Sequence, residues 1–251
     1  MKKQHSPHSQ DVWIYGIHAV LAALNNPKRV CKKFIATQSA HEELEQLEVL
    51  GNKILAQCQI KDKDAIATQL HPDARHQGIA GLFSPLPEIF LEDVANLNED
   101  NITLVILDQV TDPHNMGAIL RSAAALDAHA IITTERNSAG LEGVLAKTAS
   151  GALEITPIIH VTNLKRAMDQ LKKNNFWCIG LDEEGTTSLD KAPLTGKIAL
   201  LMGAEGPGLR RLTKQNCDLL VQIPVSDQFS TLNVSNSAAI ALYEAKRQKI
   251  S

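Results

Sequence analysis

Three short constellations hold the residue types that could do chemistry, and each directly follows an apolar run. The first is Asp108-Gln109-Val110-Thr111-Asp112-Pro113-His114-Asn115-Met116-Gly117-Ala118-Ile119-Leu120-Arg121. Asp112 and Asn115 can each accept N–H bonds at a helix start, and Pro113 suits a first turn, so a helix is expected to open straight after a strand. Gly117 and Arg121 are four apart and share one helical face, which leaves room beside a guanidinium. The plainer alternative is a capped core helix with an arginine facing water. The second is Leu200-Leu201-Met202-Gly203-Ala204-Glu205-Gly206-Pro207-Gly208-Leu209-Arg210-Arg211. A buried strand running into a glycine-rich loop and then a helix brings main-chain amides close to a ligand. Its G-x-x-G-x-G spacing is neither the dinucleotide fingerprint nor a P-loop, which leaves a binding loop for some other ligand or a tight turn. The third, Ile223 to Ser237, crowds Ser230, Thr231, Asn233 and Ser235 at a loop and helix start, supplying neutral donors and acceptors or merely caps. His18, His76 and His114 are of the acid–base type; His114 alone lies inside a constellation, as a participant or as a loop residue.

Something must place these groups at one site. The unbroken β-branched run Ile102-Thr-Leu-Val-Ile-Leu107 reads as a strand buried on both faces. Further runs at 130–133, 155–161, 177–181, 198–202 and 219–223 have helical patterns between them, the last helix spanning 238–248. Alternating strand and helix predicts a parallel α/β sheet, in which ligands sit beyond the carboxyl ends of strands. All three constellations lie at such ends. The first half alternates on a smaller scale: strand 12–15, helix 17–24, strand 32–36, acidic helix 41–50, strand 53–56, helix 62–70 and strand 78–83. The predicted organisation is a tail over residues 1–10, a small α/β domain over 11–84, a linker over 85–100 and a catalytic domain over 101–251. The linker carries five acids and no base, whereas residues 1–87 carry ten bases and eight acids.

Composition narrows the function. The 251 residues include 28 acidic and 25 Lys plus Arg, for a net charge of −3, and 44% are hydrophobic, so the chain is neither disordered nor a polycationic coat for nucleic acid. A local basic face remains open: Lys28, Arg29, Lys32 and Lys33 are its densest cluster. Cys31, Cys58, Cys178 and Cys217 form no C-x-x-C pair and have no histidine at ligand spacing, so no metal and no disulfide framework is expected. No apolar run reaches the roughly 18 residues of a membrane span, and the first residues lack a secretory apolar stretch. A cytoplasmic protein is expected.

Taken together and in this order, the three constellations resemble the signature motifs of the SpoU family of RNA ribose 2′-O-methyltransferases, within the knotted SPOUT superfamily. The stretch Ile14-Tyr15-Gly16-Ile17-His18-Ala19-Val20 and the strand His76-Gln77-Gly78-Ile79 extend the resemblance to the members that modify guanosine in 23S rRNA. It implies a catalytic domain closed by a deep trefoil knot, preceded by a small ribosomal-protein-like RNA-binding domain, acting as a homodimer on 23S rRNA. It also implies S-adenosylmethionine as cofactor, held around Gly203, Ile223 and Leu232 with Leu201, Met202 and Gly206 beside them. Asn115, Arg121, Glu205, Asn233 and Ser235 correspond to the catalytic set. Read from the residues themselves, the cluster Lys28, Arg29, Lys32 and Lys33 is expected on rRNA phosphates, with an ordinary solvated surface as the alternative. Asn236 and Ser237 depart from the small apolar residues expected after Val234-Ser235. Two alternatives stay open: a tRNA substrate, or a non-catalytic RNA-binding module of the same fold.

Overall fold

A computed structural model of the chain describes residues 11–47, 51–72, 74–134, 142–226, 228 and 231–250. The expected tail lies outside them. In chain order the elements are β1 (Val12–Tyr15), α1 (Ile17–Asn25), β2 (Cys31–Ala36), α2 (Gln38–Leu47), α3 (Asn52–Leu55), β3 (Gln59–Ile60), α4 (Lys63–Ala67), β4 (Ile79–Phe83), α5 (Leu91–Ala95), β5 (Ile102–Asp108), α6 (Pro113–Ala125) and β6 (Ala130–Thr134). They continue with α7 (Glu142–Thr148), β7 (Ile158–Val161), α8 (Leu164–Lys173), β8 (Trp177–Leu181), β9 (Thr187–Ser188), β10 (Lys197–Gly203), α9 (Arg211–Gln215), β11 (Leu219–Gln222) and α10 (Val234–Ile250). The chain divides into two compact units, 1–87 with 141–154, and 88–140 with 155–251.

In the smaller unit the sheet order is β1-β4-β2-β3, antiparallel except for the β2–β3 pair. One face packs Val20, Phe34, Ile79 and Phe83, and the other packs Tyr15, Ile35, Ile66 and Ala80. The expected strand at 53–56 is instead a helical turn, in which the amides of Ile54 and Leu55 both donate to the Gly51 carbonyl. Four residues with one apolar pair carry too little periodicity to separate strand from helix. The larger departure is α7, which belongs to this unit although it follows β6 in sequence. Ala146 and Leu153 enter its core, and a Cβ on Gly143 would lie 2.9 Å from the Trp13 carbonyl oxygen, so only glycine lets α7 approach β1 this closely. The carboxylate of Glu154 completes the attachment: it takes two forked bonds from Arg29, at 2.8 and 3.1 Å, and one from Asn26 at 2.6 Å.

The larger unit is a parallel sheet of order β7-β6-β5-β10-β8-β11-β9. Every residue of β5 is buried, as a strand covered on both faces requires. Leu104, Ile106, Ile132 and Leu201 pack under Leu164, Met168 and Leu171 of α8 and under Leu91 and Val94 of α5. Each such aliphatic side chain contributes roughly 1.5–3 kcal/mol of burial. The segment expected as a linker therefore starts, by residue 91, as part of this core. On α6 the buried stripe is Met116, Ile119, Leu120 and Ala123; on α10 it is Val234, Ala238, Ala241, Leu242 and Ala245. Asn163 caps α8 by accepting the Arg166 amide at 3.0 Å.

Strand order decides where a ligand can sit. The chain steps outward from β5 through β6 to β7, then crosses back to lay down β8, and only afterwards fills the slot between β5 and β8 with β10. The loops after β5 and β10 thus leave neighbouring carboxyl ends, Asp108 beside Gly203 in register, in different directions. Such a reversal opens a crevice.

Candidate active site

The loop after β10 doubles back on itself. Ala204 pairs with Gly208 in an isolated antiparallel bridge, and the Gly208 amide donates to the Ala204 carbonyl at 3.0 Å. A Cβ on Gly203 would lie 2.0 Å from the Gly208 carbonyl carbon, so any other residue there would force the loop open. Gly206 and Gly208 have φ of +83 and +65 degrees, a region that L side chains rarely enter. The result is a rim of bare main chain at the centre of the sheet.

Two buried carboxylates hold that rim from below. Asp108, the last residue of β5, is fully buried and accepts from the Arg210 Nε at 2.6 Å, the Arg210 amide at 3.1 Å and the Thr213 hydroxyl at 2.6 Å. Asp182, following β8, accepts from Lys214 Nζ at 2.9 Å, and Glu184 adds a second contact at 3.0 Å. The bond to Asp182, then that to Glu184, raises the Lys214 ammonium above its ordinary range. Start and middle of α9 are thereby fixed to the ends of two strands. Sequence reasoning singled out neither aspartate. The available signal was a carboxylate terminating a predominantly apolar strand, a position where an ion must find partners.

Above the rim, the three constellations meet. Asn115 Nδ2 donates to Glu205 Oε1 at 3.1 Å, and Asn233 Nδ2 donates to Asn115 Oδ1 at 3.0 Å and also to Glu205 Oε1. Asn233 Oδ1 accepts the Ser235 amide at 2.8 Å and the Ser235 hydroxyl at 2.5 Å. Four of the five residues expected to form one set are thus joined by hydrogen bonds across 118 residues of sequence. The helix start follows the expectation only in part: Asp112 accepts the His114 amide at 3.1 Å and Pro113 opens the first turn, while Asn115 bonds to Glu205 instead of capping. His114 is exposed. Arg121 lies six residues beyond Asn115, about 9 Å further along the helix at 1.5 Å per residue. It is exposed, and among the described residues its guanidinium has no partner.

The residues expected around a cofactor separate by what they present. Gly203 and Gly206 offer main chain. Ile223 is half-buried after β11, and Leu232 and Val225 expose 39 and 40% of their surfaces. Leu201 and Met202 do not offer side chains: both are buried in the sheet, because β10 is covered on both faces.

The expected basic cluster is broken up by structural partners. Arg29 is withdrawn from any RNA contact: its side chain is 3% exposed, bound to Glu154, and donates to the Ser84 carbonyl at 2.8 Å. Lys32 pairs with Asp11 at 2.7 Å, and Lys33 lies 5.6 Å from the centre of the Trp13 ring. Lys28 is exposed. Among the described residues, no group of three or more His, Cys, Asp or Glu side chains could hold a metal ion, and no helix is long and apolar enough to cross a membrane.

Comparison with known proteins shows the family. The model of the SpoU rRNA Methylase family matches residues 102–243, and a model described as RNA 2′-O ribose methyltransferase substrate binding matches residues 13–89. The 23S rRNA (guanosine-2′-O-)-methyltransferase RlmB of Escherichia coli K12 is 42% identical over 244 residues, spanning 94% of this chain and 98% of that one. The protein of the same name from Pasteurella multocida is 39% identical over 241 residues, with the same coverage. The SpoU methyltransferase AviRb from Streptomyces viridochromogenes, solved with AdoMet, shares the fold with a TM-score of 0.78 at 23% identity, covering 96% of this chain and 91% of its own.

Proposed function

The chain belongs to the SpoU rRNA methylase family, and from that premise we propose that it methylates the ribose 2′-hydroxyl of a guanosine in 23S rRNA. The observation that carries the reading is the bonded set Asn115, Glu205, Asn233 and Ser235 above the Gly203–Gly208 loop. S-adenosylmethionine fits the same place. Glycine main chain without Cβ atoms can meet its polar edges, while Val225 and Leu232 offer apolar surface to its ring. When bound, it supplies a methyl group made electrophilic by its sulfonium.

The chain's own residues position and polarise. Gly203, Gly206, Ile223 and Leu232 bind the cofactor, with Leu201 and Met202 contributing main chain. Glu205 has one oxygen committed to two amides; the other accepts from the ligand. Asn233 and Ser235, fixed by each other, face the substrate. Arg121 supplies a free guanidinium for the ribose oxygen and its neighbouring phosphate. A guanidinium donates and does not accept, so its role is charge and orientation, not removal of the proton. Holding the reacting atoms in line can itself supply about 7–11 kcal/mol of the barrier.

The smaller unit binds the RNA, with Lys28 on its phosphates in place of the set that included Arg29, Lys32 and Lys33. The enzyme is a cytoplasmic homodimer whose C-terminal segment is knotted. Ile240, Tyr243 and Ile250 support the dimer: they are large apolar side chains left exposed on α10. The insertion of β10 between strands already in place supports the knot. Mapping of ribose methylation in 23S rRNA with and without the gene tests the function. One guanosine 2′-O-methyl group that disappears with the gene is the expected result; an unchanged 23S map with a lost tRNA methyl group would overturn it.

A further inference from the structure

With Arg29, Lys32 and Lys33 engaged, a different group of cations in the smaller unit has, among the described residues, no acidic partners. Lys147, in the last turn of α7, donates to the Arg75 carbonyl and lies 5.7 Å from the centre of the Tyr15 ring, so its ammonium is held in place. Its stem packs against the turn at Gly16, where a Cβ would lie 3.1 Å from the Gln77 side-chain oxygen and 3.5 Å from Lys147 Cγ. The turn that carries Arg75 is equally fixed. Gln77 and Gly78 both adopt positive φ, 55 and 78 degrees, and the Gly78 amide donates to His76 Nδ1 at 3.1 Å. That bond makes Nδ1 the acceptor and puts the imidazole's proton on Nε2, a donor. Arg75 and Gln77 are exposed beside it.

Among the described residues, the charges acting within the group are cationic. Burial first, then Lys147 and Lys63, hold the His76 imidazole below its ordinary range; burial first, then Arg75, does the same to the Lys147 ammonium. Asp62, next to Lys63, is turned away to cap α4 through the Ala65 amide at 2.7 Å. A rigid surface that gathers donors and repelling cations is relieved by an anion.

We propose that Arg75, His76 and Lys147 form a phosphate-binding site on the smaller unit, and that its ligand is a backbone phosphodiester of the RNA substrate. Two of the three donors come from the turn 75–78. The third comes from α7, a segment contributed by the methyltransferase half of the sequence. The site rests on the reading of the chain as an RNA methyltransferase and adds the contact that positions the RNA without reading its sequence.

The test is binding of a transcribed 23S rRNA fragment to the full chain across about 50–200 mM salt. Arg75→Gln and Lys147→Gln should each weaken binding and reduce the slope of log K against log salt by about 0.7–0.9, the share of one phosphate contact. KM for the RNA should rise while kcat at saturation and S-adenosylmethionine affinity stay unchanged. Lys147→Arg should restore the slope, and Lys61→Gln, exposed but outside the group, should leave it at the wild-type value. Should Lys147→Gln unfold, Arg75→Gln decides alone, since the Arg75 side chain is exposed. A wild-type slope and KM in Arg75→Gln would overturn the site. Failure of the wild-type chain to methylate rRNA would instead overturn the catalytic reading, and the salt slopes would still decide this one.

Discussion

Asp108 and Glu205 bring carboxylates to the same glycine-rich loop and differ in what surrounds them. Asp108 is fully buried below the loop, with three donors from Arg210 and Thr213. Glu205 is exposed above it, sharing one oxygen between two amides. A buried ion with all its donors cannot change partners without a large cost, so Asp108 serves as a fixed brace. An exposed one can exchange water for substrate at little cost, so Glu205 and its neighbours are free to work. Rigidity below and exchangeability above are what a site needs if its loop is to be ready before the ligand arrives.

Substitutions can break this contrast. The largest effect is expected above the loop: Arg121→Ala should lower turnover by about 10³-fold, some 4 kcal/mol of barrier, with the melting temperature unchanged. Near-normal turnover would remove Arg121 from the set. Below the loop, Asp108→Ala should cost about 2–4 kcal/mol in urea unfolding, because Thr213 and the Arg210 amide lose their acceptor. Calorimetry should show weaker S-adenosylmethionine binding as α9 loosens. Stability within error of wild type would show that Asp108 is no brace. Glu205→Gln should reverse that pattern, with stability within about 0.5 kcal/mol of wild type and turnover reduced about tenfold in the methyl-transfer assay. The smallest effect is expected for the thiols beside this scaffold. Burial pushes Cys178 and Cys217 up to about 12, so iodoacetamide at neutral pH should label neither until denaturant is added; labelling in the folded protein would show that the sheet opens.

Much of the upper layer was legible in the sequence, because its residues are polar groups clustered after apolar runs. The burial of β5, the opening of α6 at Pro113 and the parallel sheet all follow from local pattern. The lower layer was not, since Asp108 meets Arg210 only through the pairing of β5 with β10, about a hundred residues apart, and no period records which strand fills which slot. Arg29 misled for the same reason. Beside Lys28 and Lys32 it reads as a surface cation, yet Glu154, 125 residues on, buries it. Leu201 and Met202 show the converse: their neighbours line the rim, but their own side chains, on opposite faces of β10, are both buried because the strand is covered on both sides.

The attachment of residues 141–154 to the smaller unit bears on how such a protein can be cut or recombined. The backbone passes between the units three times, near 87, 140 and 154, so neither is a cassette that a single splice could remove. A truncation at residue 88 would strip Ala146, Leu153 and Glu154 of their neighbours and leave a sticky, half-charged strap dangling from the remaining fold. Replacing 141–154 with a short neutral loop in the same truncation would be the cleaner way to isolate the methyltransferase half.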